Sequence, residues 1–267
     1  MLKEQRIFAI GDIHGKWQII RNFYEKYKET ENFTSPNREN IIILLGDAGL
    51  NYFFNHRDIE TKTKLNTLPF TYFVIRGNHE ERPSICAKKY PDKWHIEEFW
   101  DNIVYVENDY PNIKYALDEA AIYNIPYFYK ALVIPGAYSV DKYYRLKNNW
   151  SWFENEQLNE QEREKCLRLI EKNPKIDFVF SHTCPIMFEP TDLFLSCVDQ
   201  SMVDKSMERL LGEVECNLSY HAWIWGHYHA FRDYPRTDGR KKLMLYDNFA
   251  IDIKEYLENE EFTKYGI

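Results

Sequence analysis

Five short apolar runs in this chain each break off into a corner dense in acids, amides and imidazoles. IFAI (7–10) runs into GDIHG, IIILL (41–45) into GDAG, TYFVI (71–75) into RGNHE, DFVFS (177–181) into HTCP, and HAWIW (221–225) into GHYH. Runs that are apolar throughout and rich in β-branched and aromatic residues read as strands covered on both faces, because an exposed face would place polar residues at every second position. KLMLY (242–246) continues the series. AIYNIPYFYKALVI (121–134) has no helix between its strand-like halves and predicts an antiparallel hairpin, hence a mixed sheet. Helical stripes lie between the runs: Ile20, Phe23, Tyr24 and Tyr27 over 17–29, Leu158, Leu167 and Ile170 over 155–171, and Met207, Leu210 and Leu211 over 202–211. Interleaved strands and helices give the class α/β or α+β. TENFTSPNREN (30–40) reads as a surface loop and KEYLENEEFTKYGI as a short solvated helix or frayed end.

With 267 residues the chain can bury a large core without covalent staples and is expected to form one domain. Its formal charge of −8 disfavours broad binding to nucleic acid or to an anionic membrane. Five cysteines, with no CxxC pair and one left over, argue against a disulfide framework and for a reducing cytoplasm. No apolar stretch approaches the roughly 20 residues that span a bilayer, and the acid Asp12 arrives before a signal-peptide core could form. The aromatic share, 16%, is read as core filling.

The corners carry the chemistry. Loops beyond the carboxyl ends of strands commonly share one crevice, so groups far apart in sequence can meet there. Residues two apart on extended chain point to one side, so Asp12 with His14, and His227 with His229, can each address a common centre. Glycines permit sharp turns and close backbone approach. Carboxylate, amide and imidazole donors together suit manganese, iron, zinc or cobalt, whereas a thiolate site would use cysteine. Taken singly, Asp12 or Asp47 is a cap or turn residue, Asn78 a turn residue and His182 a satisfied core histidine. Jointly, five such corners at five strand ends are a metal-site pattern. GDIHGK imitates a phosphate-cradling loop but spaces its glycines by three residues and puts Trp17 where a magnesium-binding hydroxyl belongs. No cysteine has an arginine six residues on, which removes a cysteine-nucleophile phosphatase.

The set GDIHG, GD, GNHE, a strand-end histidine and GHxH, in that order over residues 11–229, resembles the calcineurin-like metallophosphoesterase family, in particular its small bacterial and phage members. The resemblance implies an α/β four-layer α/β/β/α sandwich of two mainly mixed sheets flanked by helices, occupying residues 1–253, with 254–267 as a tail. It implies two metals, manganese or iron ahead of zinc: Asp12, His14 and His229 on one, Asn78, His182 and His227 on the other, and Asp47 bridging. Two ions about 3.5–4 Å apart can acidify a shared water and clamp phosphoryl oxygens, so that a bridging hydroxide attacks phosphorus in line. His79, outside the ligand set, is the expected leaving-group acid.

RGNHE is also similar to the protein serine/threonine phosphatase branch, but that branch's GDxxDRG is here GDAGLNY. Leu50 stands where an aspartate would orient the acid histidine, and Asn51 where an arginine would bind phosphate. A substitute is expected from AYSVDKYYRLKNNW (137–150): Arg145 facing the substrate, with Tyr138 nearby and Arg76 and Arg82 as competitors. Glu80 is expected to be solvated or to sit behind the ligands. The leading expectation is a dinuclear-metal-dependent hydrolase of phosphate monoesters or diesters, acting on a phosphorylated small molecule, phosphoprotein or nucleotide. Two alternatives stand beside it. One is a nuclease or end-processing phosphodiesterase with aromatics stacking bases, disfavoured by the charge; the other is a non-catalytic metal-binding scaffold.

Overall fold

The computed structural model describes residues 5–30, 40–236 and 238–267, so nearly all of the loop expected over 30–40 lies outside the described residues. In chain order the elements are β1 (Ile7–Ile10), α1 (Gln18–Tyr27), β2 (Ile41–Leu44), α2 (His56–Thr67), β3 (Thr71–Val74), α3 (Pro83–Lys89), β4 (Trp94–Phe99), β5 (Asn102–Glu107), β6 (Ile113–Tyr115), β7 (Ala121–Ile125) and β8 (Tyr129–Ile134). They continue with α4 (Lys142–Lys147), α5 (Glu160–Lys172), β9 (Lys175–Ser181), α6 (Ser206–Asn217), β10 (Ser219–Trp225), β11 (Arg232–Asp233), β12 (Lys241–Met244), β13 (Phe249–Asp252), α7 (Ile253–Glu258) and β14 (Tyr265–Gly266). Among the described residues the strands make two mixed sheets, ordered β14-β13-β1-β2-β3-β6-β5-β4 and β11-β12-β10-β9-β8-β7.

The continuous apolarity of the central strands has the cause expected of it. Ile7 and Ala9 of β1, and Ile41 and Ile43 of β2, face the space between the sheets, where they meet Phe178 and Phe180 of β9 and Ala222 and Ile224 of β10. The alternate residues Phe8, Ile10, Ile42 and Leu44 face outward and are covered by Ile20 and Phe23 of α1 and Leu65 of α2. On the other side Val179, Trp223 and Trp225 lie under Cys166 and Ile170 of α5 and Met207 and Leu211 of α6. The result is a helix, sheet, sheet, helix sandwich. Each fully buried Leu, Ile or Phe contributes about 1.5–3 kcal/mol relative to exposure.

Several element boundaries differ from the sequence reading. Helix α5 starts at Glu160 rather than 155, because Asn159 accepts from Glu162 N while Glu162 returns to Asn159 N, a capping box. Helix α6 starts at Ser206, and residues 200–202 form a separate single turn capped by Asp199. The tail carries the expected short helix, α7, but it is neither solvated nor frayed: Tyr256 is fully buried, and β14 adds to β13 with Tyr265 packed edge-on to Phe8. β7 and β8 form the expected antiparallel hairpin.

β1, β2 and β3 run parallel, as do β8, β9 and β10. Their carboxyl ends are stitched across the two sheets, with His182 Nδ1 2.7 Å from Leu45 O and His227 N donating to Asp12 Oδ2 at 2.8 Å. That seam gathers the corners that carry Asp12, His14, Asp47, Asn78, His182, His227 and His229.

Candidate metal centre

Backbone nesting brings the corners together. A Cβ on Gly77 would stand 2.0 Å from Asp47 Oδ1, one on Gly46 2.1 Å from His182 Nδ1, and one on Gly226 2.7 Å from Asp12 Oδ1. Only glycine lets these loops pass so closely. His14, Asp47, His227 and His229 have φ of 45°, 48°, 72° and 51°, a left-handed conformation that non-glycine residues adopt at a cost and that collects at functional sites.

All seven expected ligands lie in this one region. His14 Nε2 is 2.9 Å from His229 Nε2 and 4.0 Å from Asp47 Oδ2. His182 Nε2 is 2.9 Å from Asn78 Oδ1 and 3.5 Å from Asp47 Oδ1, and its Nδ1 is 3.5 Å from Asp12 Oδ1. Asp12 Oδ2 accepts from His227 N at 2.8 Å. Asp12 Oδ1 and His227 Nδ1 are buried without a hydrogen-bond partner, an arrangement that costs free energy unless something fills it. Potential donor atoms of His14, Asp47 and also His79 lie within 4.8 Å of one another. An oxygen- and nitrogen-rich cluster with orphaned acceptors, and imidazole nitrogens facing each other, fits transition-metal ions.

Charge states suit ligation at His14, His227, His229 and Asp47. At His182, burial is outweighed by the carboxylates of Asp47 and Asp12, which raise the imidazole to about 9, a proton that a bound ion would have to displace. Burial holds His227 and His229 below the usual imidazole range and His14 at about 4, so these rings stay neutral and able to ligate. Burial also opposes charge on Asp47, but the imidazoles of His79, His182 and His14 outweigh it and hold the carboxyl well below its ordinary value. Burial, reinforced by Asp47, pushes Asp12 up.

Supporting groups orient the expected ligands, as second neighbours of metal sites commonly do. Asn78 Nδ2 donates to Ser139 Oγ at 2.9 Å, which turns Oδ1 toward His182; Ser139 in turn donates to Glu156. Glu80 is buried, accepting from Gly49 N at 2.9 Å and Gly77 N at 3.1 Å, so it ties the second and third corners together rather than meeting solvent.

At the mouth, His79 Nδ1 is 3.6 Å from Asp47 Oδ2, and its Nε2 is 2.8 Å from Arg145 Nη2. Arg145 also donates to Asp141 at 2.7 Å and to Tyr52 OH at 2.5 Å, and Tyr52 stacks on His79 at 5.8 Å. The competing arginines are engaged elsewhere: Arg76 donates to the Glu156 carbonyl and Arg82 pairs with Glu162. Leu50 is core, and Asn51 accepts from Lys62 Nζ at 2.8 Å. A cavity of about 360 Å³ opens over this centre, lined by Asp47, Asn78, His79, His227, His229 and Tyr138 among others. Arg145 itself touches His79 and does not line the cavity. Tyr52 and Glu156 carried no signal in the sequence, because their partners lie in other corners.

The sequence model for calcineurin-like phosphoesterases matches residues 5–231. The chain belongs to the calcineurin-like phosphoesterase family. Among solved structures it is similar to the protein TT1561 of Thermus thermophilus, at 10% identity and TM-score 0.52, over 94% of this chain and 96% of that one. It is also similar to a dimetal phosphatase from Danio rerio, at 10% identity and TM-score 0.49, over 92% and 94% of the two chains. At such identity the likeness to TT1561 shows the fold. The comparison with curated proteins found no match. As a member of the calcineurin-like family the chain departs from the protein phosphatase pattern at Leu50 and Asn51, and it places Arg145, from a distant segment, against His79. No helix among the described residues is long and apolar enough to cross a membrane.

Proposed function

We propose that this chain is a metal-dependent hydrolase of phosphate monoesters or diesters that uses a pair of transition-metal ions, manganese or iron ahead of zinc. The observation that carries the reading is the convergence of seven side chains from five corners, with buried Asp12 Oδ1 and His227 Nδ1 left without partners. Asp12, His14 and His229 would hold one ion, Asn78, His182 and His227 the other, and Asp47 would serve both. Bound ions supply positive charge to the phosphoryl oxygens and acidify a water near neutral pH.

The chain's own groups do the rest. The Leu45 carbonyl fixes the His182 ring, so its Nε2 faces the centre. Asp47 stays ionised and is held by the backbone N–H of His79 at 2.9 Å. His79 at the mouth would donate its proton to the leaving oxygen. Burial, together with the charge of Arg145, holds its imidazole below the ordinary range, and a phosphate dianion arriving beside both cations would favour the protonated ring. Asp141 and Tyr52 aim the Arg145 guanidinium at His79, from where its positive charge would attract a phosphoryl group at the cavity mouth. Phosphorylated small molecules, nucleotides or phosphoproteins are the substrate classes.

The test compares phenyl phosphate with bis-phenyl phosphate as substrates for protein loaded with manganese or iron. Turnover of at least one ester, abolished by chelation, is the expected result. No turnover of either by protein of verified metal content would refute the reading.

A further inference from the structure

The cavity over the metal centre has two unlike walls. One carries the ligands and His79; the other is apolar, built from Leu193, Phe194, Leu195, Val198 and Val203. Phe194 lies nearly parallel to Tyr228, with ring centroids 6.5 Å apart. A phosphoryl group has no use for such a wall. Water gains little there either, since apolar surface offers it no partners.

Three polar side chains, Gln200, Lys205 and Glu208, interrupt the apolar wall, and Gln200 Oε1 and Glu208 Oε2 are both buried without a hydrogen-bond partner. Glu208, from the first turn of α6, lines the cavity although the residue is only 4% exposed. Its Oε1 accepts from Thr183 Oγ1 at 2.8 Å, and that hydroxyl lies 3.2 Å from Tyr228 OH. Its Oε2 is buried and without a hydrogen-bond partner. The neighbouring cation Lys205 is engaged by Glu189 at 2.6 Å. Buried carboxylate oxygens are normally paired, and leaving one unmet is costly. An apolar pocket with a few convergent polar groups is the layout of a small-molecule subsite, and of the three here Glu208 is the one fixed on its other oxygen by Thr183.

We propose that this wall receives the organic group of the phosphate ester, that the group is a flat heteroaromatic ring bearing an N–H donor, and that Glu208 Oε2 accepts that hydrogen bond. The assignment rests on the phosphoesterase reading above. Phe194, Tyr228 and Tyr138 line the cavity with aromatic rings, which suits a planar ring. The cavity volume of about 360 Å³ is near the lower end of small-molecule pockets, which suits one ring system and its phosphate better than a peptide segment. An N–H at Oε2 would also offset the burial that pushes the Glu208 carboxyl up to about 7.

The test uses metal-loaded protein and matched nucleoside 5′-monophosphates that differ by one exocyclic amine: adenosine against purine riboside, guanosine against inosine, cytidine against the pyrimidin-2-one riboside. At least one amine-bearing member is expected to exceed its partner by about tenfold or more in kcat/KM, the size of a hydrogen bond to a charged group. Glu208→Leu should reduce that preference to under twofold. Should Glu208→Leu fail a thermal-melting check of folding, the isosteric Glu208→Gln carries the test, with at least a threefold fall in preference expected. Turnover of phenyl phosphate with no pair separated by more than twofold, or a preference untouched by the variants, overturns the subsite. Failure of phenyl phosphate and every nucleotide alike instead defeats the phosphoesterase reading, and the subsite falls with it.

Discussion

Gly77→Ala isolates the nesting of the metal-ligand corners, because a single added carbon has nowhere to go. The Cβ would lie 2.0 Å from Asp47 Oδ1, 2.4 Å from Asp47 N and 2.8 Å from Asp47 Cγ. Non-bonded carbon contacts settle near about 3.5–4.0 Å, so the two corners must part by more than about 1 Å. Neither yields easily: Gly77 N donates to Glu80 Oε2 at 3.1 Å, and Asp47 Oδ1 accepts from His79 N at 2.9 Å. Separation would break these bonds and withdraw Asp47 from the region it shares with His14 and His79. Overpacking of this kind costs about 1–3 kcal/mol of stability, and a misplacement of about 1 Å in a reacting site costs about 100-fold in rate. The expected result is a lowered melting temperature, weakened metal affinity by calorimetry, and kcat/KM on an aryl phosphate reduced at least about 100-fold at saturating metal. Gly239→Ala is the control: its φ is +79° and nothing lies within 4 Å of the added carbon, so it carries backbone strain alone, about 1–2 kcal/mol. A Gly77→Ala protein that binds metal normally and turns over within threefold of the parent would refute the reasoning.

Arg145→Ala removes the cation 2.8 Å from His79 Nε2 and should lower kcat/KM about 10–100-fold for a dianionic monoester, with a smaller loss for a monoanionic diester; equal losses in a paired assay would remove Arg145 from phosphate binding. His79→Gln should keep its metal content while turnover of esters with poor leaving groups falls about 10²–10⁴-fold, and an unchanged rate would end its assignment as proton donor. Burial raises the Glu208 carboxyl from 4.5 to about 7, so the folded state keeps a proton that the unfolded state has already lost. The resulting penalty is absent below about pH 4.5, grows as pH rises to about 7 and is constant above that. Glu208→Gln should therefore stabilise the protein by about 1–3 kcal/mol at pH 8 and by less at pH 4; denaturant melts showing the same change at both would contradict it.

The central strands and the seven side chains that converge beyond them were legible because doubly covered strands write themselves as unbroken apolar runs and each candidate ligand follows directly on a strand end. Which face each residue takes was not legible, since Ile7 and Phe8 are both buried, one between the sheets and one under α1. The edge hairpin β4 and β5 escaped notice for the opposite reason: WHIEEF keeps only Trp94 fully buried and reads as polar chain. Helix α2 is polar in composition, and its buried Asp58 caps the backbone of Tyr52, Phe53 and Phe54 rather than joining an apolar stripe. Arg145 was picked out as a candidate, but its contact with His79 spans 66 residues and its bond to Tyr52 spans 93. Such pairings are set by how two sheets close on each other. Glu208 was invisible for the same reason: in sequence it is one more acid at a helix start.

The most direct measurement is metal stoichiometry: calorimetric titration of chelator-treated protein with manganese, with elemental analysis of the loaded sample. Two ions per chain, falling to one or none when Asp47 is replaced by alanine, is the outcome expected of seven ligands sharing one carboxylate. Saturation at a single ion, or binding indifferent to Asp47, would contradict it.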